Sequence, residues 1–419
     1  MIKLPFIVVE SKNPHKKTDP ILFTGGGPGT SSIDWAYGAT NGELIKDRDY
    51  IVLEQRGTRW SIPSLRIFEL DSAIRESYRK NLPKDSMFYE GVKRYKKRLE
   101  ARGIDLSGYN TDESVNDIED LLTVLKIDSV NLFVISYSGG LMMAVLQKDP
   151  ARVRSLVLDS PLPMFVPIDE DEPANFNEAL NVLFSKVDKD SANMALYGNL
   201  KERFQQYFTS ITGKVFYQSY LERGTKDSIR VQYTKNELLT AIENAMFDDD
   251  GRKNIPFMIN EMIKGHHSIY VKEKLDNVFN KNPAPDGMRM SVYCADEANY
   301  HNEAIIHDLY NIYPYMAGYR INDVYKAVCD CWVVPPVSPQ TKQAFYSMKP
   351  VWVGDGEMDP GCRPLYMDMI HHYMPNTQRF LFINKSHGVG GKDMDEMVKQ
   401  FLDHPYQKIE STNKDILAY

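Results

Sequence analysis

One stretch of the chain, residues 131–153, most restricts the fold that the sequence can adopt. It reads NLFVISYSGGLMMAVLQKDPARV: an apolar run, a polar turn that holds Ser136 and Ser138, and a second apolar run that ends before Pro150. The first run has the length of a buried strand, and residues 141–148 have the length of a short helix. Such a strand-turn-helix exposes a side chain at the carboxyl edge of a sheet, where open α/β folds place their sites.

Short apolar runs bounded by Gly, Pro or Asp occur on both sides of this stretch, and a segment with helical periodicity precedes it. We predict strands at 3–9, 21–26, 50–55, 130–135, 153–161, 351–354 and 379–384, and a helix near 113–125. Strands and helices that alternate at this spacing predict a parallel sheet covered by helices on both faces.

The middle of the chain has a different pattern from its two ends. Between 164 and 345 several segments carry helical periodicity and strand-like runs are scarce. We therefore predict a core built from residues 1–163 and 346–419, with a helical insertion at 164–345.

Charge and hydropathy restrict the partners of the chain. The formal net charge of -7 and the pI near 5.8 oppose binding to nucleic acid or to an anionic membrane surface, since both need excess Lys and Arg. No apolar run approaches the roughly 18 residues of a membrane helix, and LPFIVV at 4–9 is too short for a signal-peptide core. We expect a soluble chain, and the compartment, cytoplasmic or exported through an upstream segment, stays open, as does the oligomeric state.

The cysteines predict neither a disulfide scaffold nor a zinc site. There are four of them in 419 residues, and Cys294, Cys329, Cys331 and Cys362 lack paired CxxC spacing. A bridge from Cys294 to Cys329 or to Cys331 is open on the sequence. We expect no metal and no cofactor.

The two serines of the turn compete for the role of nucleophile. Residues two positions before and after an elbow nucleophile are usually small, and this favours Ser138, whose neighbours are Ser136 and Gly140, over Ser136, which follows Val134. Strand length favours Ser136, because the apolar run ends at residue 135 and the exposed residue should follow at once. The residues alone leave the choice open.

A serine nucleophile needs a base and a group that orients the base. Asp359 lies in the turn GDGEMDPG after one predicted strand, and His387 lies in SHG after the last one. Both side chains should reach the same edge of the sheet, in the chain order Ser, acid, His. Asp355 and Glu357 are alternatives for the acid.

A glycine-rich turn, GGGPG at 25–29, follows the strand at 21–26. It is not a phosphate cradle of the Walker type because no GK[ST] follows. Its position after a strand and upstream of the elbow suits backbone N–H donors to an oxyanion.

Five motifs in order resemble the proline iminopeptidase and tripeptidyl aminopeptidase family of α/β-hydrolase serine peptidases. They are GGGPG at 25–29, EQRGTRWS at 54–61, VISYSG at 134–139, GEMDP at 356–360 and SHG at 386–388. The resemblance implies an α/β-hydrolase fold, a mostly parallel sheet flanked by helices, in which the insertion is a helical cap domain. The departures are Gly25 in place of a histidine, Glu54 in place of Asp, and Val134 in place of a small residue.

The resemblance also assigns roles to residues of this chain. It implies Ser136 as the nucleophile, with Tyr137 N–H and a backbone N–H of Gly26 or Gly27 as oxyanion donors. Asp359 and His387 complete the triad. Asp296 and Glu297, in the segment CADEANY, are implied as the carboxylates that bind the free amine of a substrate.

Three hypotheses follow for the function. The first is a serine exopeptidase that removes an N-terminal residue, such as proline, or a short peptide. The second keeps the same triad with an ester or another small acyl substrate, because the fold does not determine the substrate. The third is a catalytically weak hydrolase fold used for binding, which is suggested by Val134 beneath the elbow.

Overall fold

The computed structural model describes residues 1–39, 42–66, 68–280 and 286–419, which form ten strands and sixteen α-helices. The strands are β1 (Phe6–Val9), β2 (Ile21–Thr24), β3 (Tyr50–Leu53), β4 (Val130–Ile135), β5 (Val153–Asp159), β6 (Phe216–Leu221), β7 (Ser228–Tyr233), β8 (Val351–Gly356), β9 (Thr377–Phe382) and β10 (Ile416–Ala418). The helices are α1 (Ser32–Ala39), α2 (Phe68–Lys80), α3 (Lys84–Ala101), α4 (Thr111–Val124), α5 (Ser138–Lys148), α6 (Ile168–Lys189), α7 (Ser191–Tyr197), α8 (Leu200–Ser210), α9 (Lys235–Phe247), α10 (Asp249–Ile263), α11 (Ser268–Val278), α12 (Asp286–Asp296), α13 (Glu303–Ile312), α14 (Lys326–Trp332), α15 (Leu365–Tyr373) and α16 (Lys392–Asp403).

Eight of the strands form one sheet in the order β1-β3-β2-β4-β5-β8-β9-β10. The six inner strands are parallel, and only β1 and β10, at the two edges, run antiparallel to their neighbours. The predicted mostly parallel sheet is confirmed. Strand β10, which is three residues long, was not predicted from the sequence.

Both faces of the sheet are buried, which explains why its central strands read as unbroken apolar runs. On β4, Leu132 and Val134 belong to a core shared with residues of α4, α5 and α15. On the other face, Phe23 of β2 and Trp352 of β8 belong to a core shared with residues of α1 and α16. The parallel strands end together, with Thr24 beside Val134 and Asp159 beside Gly354, and this carboxyl edge carries the elbow.

The segment between β5 and β8 contains helices α6 to α14 and a two-stranded antiparallel hairpin, β6–β7. Its own core includes Phe176, Phe204 and Ile242. The sequence analysis did not identify the hairpin. The predicted domain limits at 163 and 345 lie in irregular segments before α6 and before β8.

Within the insertion, a disulfide joins Cys294 of α12 to Cys329 of α14, while Cys331 and Cys362 are free. The pairing left open by the sequence is therefore Cys294 with Cys329. Among the described residues, no helix combines the length and the apolar character needed to cross a membrane.

Candidate active site

Ser136 occupies the turn between β4 and α5 in a left-handed backbone conformation, with φ of 61°. This conformation costs a non-glycine residue about 1–2 kcal/mol, and the surrounding hydrogen bonds hold it. Ser136 N–H donates to Asp159 O at 3.0 Å, and its carbonyl accepts from Gly139 N at 2.8 Å and Leu162 N at 3.0 Å. The turn is thus a strained elbow, and Ser136 lines the cavity in front of it.

Ser138 occupies a different environment, because it is fully buried as the first residue of α5. Its hydroxyl donates to the carbonyl of Gly25 and accepts from Gln55 Nε2 at 3.2 Å. The Ser138 hydroxyl would have to break both of these hydrogen bonds to reach a substrate. The structure thus places Ser136 at the cavity and Ser138 behind the glycine-rich turn.

The small residues that the elbow needs follow Ser136. A Cβ on Gly139 would lie 2.6 Å from Pro161 Cβ, and one on Gly140 would lie 3.1 Å from Leu162 O. Val134, two residues before Ser136, is fully buried in the same core as Leu132. A β-branched residue therefore fits at 134 because its side chain belongs to the sheet core.

The partly buried His387 and the buried Asp359 form a pair at the same edge of the sheet. His387 Nδ1 lies 2.7 Å from Asp359 Oδ2, and Asp359 Oδ1 accepts from Gly361 N at 2.7 Å and Cys362 N at 2.9 Å. When Nδ1 of a neutral His387 donates to Asp359, Nε2 is left as an acceptor. Burial alone would lower the pKa of His387, but the charge of Asp359 and the hydrogen bond outweigh it and raise the pKa.

The two alternative acids have other partners than His387, and the partner of Asp355 is Asp359 itself. Asp355 is fully buried on β8, and burial together with the charge and hydrogen bond of Asp359 raises its pKa well above the usual range. Glu357 accepts from Asn384 N at 2.6 Å and pairs with Lys186 at 2.6 Å. Asp359 is the carboxylate that contacts His387.

The glycine-rich turn lies directly against the elbow. A Cβ on Gly26 would lie 2.8 Å from Ser136 Cβ and 2.7 Å from Ile135 O, so only glycine fits there. The carbonyl of Gly25 accepts from Ser138 Oγ and from Gln55 Nε2, the latter at 2.8 Å. The carbonyl of Gly25 and the N–H of Gly26 belong to one trans peptide and therefore point in opposite directions. The two hydrogen bonds to the carbonyl thus direct the N–H of Gly26 away from Ser138 and Gln55.

Gly26, Gly27, Ser136, Tyr137 and His387 all line one cavity of about 370 Å³. This volume is within the range of small-molecule sites. Its walls are mainly apolar and come from both core and insertion. The other uncharged residues that line it are Thr30, Trp35, Ile135, Leu162, Ile168, Phe247, Tyr293, Ile321, Asn322, Gly361 and Cys362.

Three charged residues of this cavity were not identified from the sequence: Glu172 of α6, Glu243 of α9 and Arg289 of α12. Burial raises the pKa of Glu243 to about 7, and burial raises that of Glu172 well above its usual range. Arg289 donates to Gly27 O at 2.8 Å and to the side chains of Asn322 and Asp323. No local motif marks these residues, because each comes from a different helix of the insertion.

Asp296 and Glu297 do not line this cavity. Asp296 accepts hydrogen bonds from the side chain and N–H of Thr111, and Glu297 pairs with Lys342 at 2.7 Å. Both carboxylates are almost fully buried. They line a small separate void, which Tyr137 also lines. The structure therefore brings together Ser136, His387, Asp359 and the glycine-rich turn, but not the two carboxylates implied by the resemblance.

Cys362 is a further residue of the site that the sequence analysis did not identify. Its N–H donates to Asp359, and its buried thiol is hydrogen-bonded to the side chain of Ser136. Burial raises the pKa of this thiol well above the usual range, so it is a neutral neighbour of Ser136.

A family model described as the alpha/beta hydrolase fold matches residues 19–220. This match, the order of the sheet and the elbow between β4 and α5 define the chain as a protein of the α/β-hydrolase fold. The predicted fold class is confirmed.

Several solved structures are similar to the chain over nearly its whole length. An epoxide hydrolase from Bacillus megaterium is 15% identical, with a TM-score of 0.45 and coverage of 96% of this chain and 97% of that one. Proline iminopeptidase from Mycobacterium smegmatis is 13% identical, with a TM-score of 0.42 and coverage of 97% and 96%. An esterase from Thermogutta terrifontis is 12% identical, with a TM-score of 0.41 and coverage of 97% and 95%. Likenesses this distant say nothing about the reaction, and no curated protein matches the sequence significantly.

Proposed function

We propose that the chain is a serine hydrolase that acts as an exopeptidase on N-terminal residues or short N-terminal peptides. One observation carries the proposal: the strained Ser136 and His387, which is paired with Asp359, line one cavity beside a glycine-rich turn. A nucleophile, a base with its orienting acid, and backbone donors are the parts that acyl transfer needs.

In the proposed reaction Ser136 Oγ attacks the substrate carbonyl while His387 Nε2 takes its proton. The N–H groups of Tyr137 and of Gly26 or Gly27 stabilise the negative oxygen of the tetrahedral intermediate. His387 then gives the proton to the leaving amine, and an acyl-enzyme remains. Water, deprotonated by His387, hydrolyses the acyl-enzyme and restores Ser136. Asp359 keeps His387 oriented and stabilises its charged form.

Exopeptidase action requires a group that binds the free amine of the substrate. In place of Asp296 and Glu297, we assign this role to Glu172 and Glu243, because they are the carboxylates of the cavity that holds Ser136. A carboxylate in a partly desolvated cavity binds an ammonium group more strongly than one in water.

The second candidate is an esterase that uses the same three residues. It is favoured by the mainly apolar walls of the cavity and by the raised pKa of Glu172 and Glu243, since a neutral carboxyl does not attract a cation. Proline and tripeptide anilides should be compared with short-chain esters. Turnover of esters without any turnover of anilides would exclude the peptidase and support the esterase.

Mass-spectrometric mapping of a fluorophosphonate adduct tests the proposal common to both candidates. We expect the adduct on Ser136, no labelling of Ser136→Ala, and retained labelling of Ser138→Ala. A folded wild-type protein that is not labelled would contradict catalysis and support the binding hypothesis.

A further inference from the structure

We infer that α12 positions both halves of the oxyanion site, so that a helix of the insertion controls the rate of the chemical step. This inference rests on the proposed function, because it concerns the donors from the glycine-rich turn and Tyr137. Helix α12 makes three contacts with the site, through Arg289, Val292 and Asp296. These residues lie three or four positions apart and therefore on one face of the helix.

The first contact fixes the glycine-rich turn. Arg289 Nη1 donates to Gly27 O at 2.8 Å, while Asn322 and Asp323 hold the rest of its guanidinium at 2.9 and 2.7 Å. A planar guanidinium held at three points has little freedom left. The carbonyl of Gly27, one peptide beyond the donors, is thereby fixed relative to α12.

The second contact packs α12 against the elbow. Met288 and Val292 form a small buried cluster with the ring of Tyr137, and both are at most 1% exposed. Gly57 allows this approach, since a Cβ at that position would lie 2.9 Å from Met288 Cβ. The ring of Tyr137 therefore cannot shift unless α12 shifts.

The third contact is a relay of hydrogen bonds to the end of the same ring. Thr111 Oγ1 donates its only proton to Asp296 Oδ2, so at 3.0 Å from Tyr137 it accepts from the phenol. All three side chains are buried. The relay fixes the orientation of Tyr137, whose backbone N–H is the second oxyanion donor.

The opposite side of α12 is itself anchored. Cys294 is bonded to Cys329 of α14, and Ser291 Oγ accepts from Trp332 Nε1 at 2.9 Å. Gly287 N–H donates to Leu65 O at 3.1 Å. A helix held on both sides can act as a rigid template for the donors.

The test cuts the relay and the arginine contact separately. Tyr137→Phe removes the bond between Tyr137 and Thr111, whereas Thr111→Val removes that bond together with the one to Asp296. Both changes keep the shape of the side chain. Arg289→Gln removes the contact to Gly27. The matched control is Asp112→Asn, since Asp112 also joins α4 to the insertion, through Ser338 and Thr341, without touching Tyr137.

We expect Thr111→Val and Tyr137→Phe each to lower kcat about 10-fold with KM within about twofold of wild type, because a displaced donor weakens transition-state binding. The double variant should be no slower than Thr111→Val, since the bond that Tyr137→Phe removes is already lost in Thr111→Val. Arg289→Gln should lower the rate of fluorophosphonate labelling of Ser136 by a similar factor, and Asp112→Asn should not.

Amide hydrogen exchange provides a readout that does not need an active enzyme. We expect faster exchange in peptides that cover 25–30 in Arg289→Gln and 136–139 in Tyr137→Phe. If wild-type Ser136 is not labelled, the proposed function fails while faster exchange still supports the positioning role. Unchanged kcat and exchange in these variants, or a rise in KM with kcat unchanged, would overturn the inference. If Thr111→Val does not fold, Tyr137→Phe decides.

Discussion

Ser138 lies beside Ser136, the proposed nucleophile, and supports the glycine-rich turn from behind the cavity. Ser138 and Gln55 both donate a hydrogen bond to the carbonyl of Gly25. These two bonds set the direction of the adjacent N–H of Gly26. The motif EQRG therefore supplies a support for the glycine-rich turn. Its first residue is also buried: Glu54 accepts from Ser31, Thr58 and Trp60, so the carboxylate ties together the loops around the turn.

We predict that Ser138→Ala keeps the nucleophile but weakens the oxyanion site. The Gly25 carbonyl loses one of its two donors, so kcat should fall roughly 10-fold, while KM stays close to wild type. The unfolding free energy should fall by about 1–3 kcal/mol because a buried bond is lost. Kinetics and urea denaturation measure the two effects. Loss of all labelling in a folded Ser138→Ala protein would contradict the assignment of Ser136.

The pH dependence of the rate should report the pKa of His387. Only neutral His387 can accept the serine proton, and the nearby charge of Asp359 raises its pKa above the ordinary value of 6.5. We therefore expect kcat/KM to rise with pH and to level off above that pKa. Asp359→Asn removes the charge, so the acid limb should move to lower pH while the maximum rate falls. An acid limb that does not move in Asp359→Asn would show that another group titrates.

The residues of the site divide according to what can be predicted from sequence. Ser136, Asp359 and His387 each follow a strand of one parallel sheet, and the carboxyl ends of such strands meet at one edge. Glu172, Glu243 and Arg289 lie on three helices of the insertion, and nothing local determines how those helices pack over the sheet. The resemblance implied Asp296 and Glu297 for substrate binding, but both line a separate void beside Tyr137, because they lie at the end of α12 and just after it.

At the scale of elements, the strands of the sheet were predictable and the hairpin β6–β7 was not. Strands buried on both faces are unbroken apolar runs, whereas FYQSYL of β6 alternates exposed and partly buried residues next to a charged turn. In a segment where helical periodicity dominates, six such residues give little signal. What defines β6 as a strand is its antiparallel pairing with β7 in the folded protein.

The disulfide between α12 and α14 should stabilise the insertion. It closes a loop with a sequence separation of 35. Removing it with Cys294→Ala and Cys329→Ala should lower the unfolding free energy by about 3–4 kcal/mol on the chain-entropy estimate. Thermal unfolding measures this loss. Cys331→Ala is the matched control, since that cysteine is free on the same helix. If the protein that carries Cys294→Ala and Cys329→Ala were as stable as Cys331→Ala, the disulfide would not contribute to the stability of the insertion.

At the scale of the whole molecule, the cavity lies between the carboxyl edge of the sheet and the insertion. The sheet supplies Ser136 and His387, while the insertion supplies Glu172, Glu243 and Arg289. On the proposed function, chemistry and substrate selection therefore come from different parts of the chain. With about 370 Å³ enclosed between them, the substrate should be short.

The last prediction concerns the free amine of that substrate. A tripeptide anilide with a free N-terminus should be cleaved roughly 10- to 100-fold more efficiently than its N-acetylated form, because acetylation removes a charged hydrogen bond of about 1.5–3 kcal/mol. The preference should grow as pH rises through about 7, where Glu243 ionises, and decline once the amine loses its proton near pH ~8.

Glu243→Gln should reduce this preference for the free amine and leave cleavage of the acetylated substrate almost unchanged. Glu357→Gln is the matched control, since Glu357 pairs with Lys186 and does not line the cavity. The measurement is kcat/KM for both substrates in the wild type and both variants between pH 6 and pH 9, the range that brackets the two ionisations. An equal preference in Glu243→Gln and the wild type would remove Glu243 from amine binding, whereas loss of the preference in Glu243→Gln alone would support selection of the free amine by the insertion.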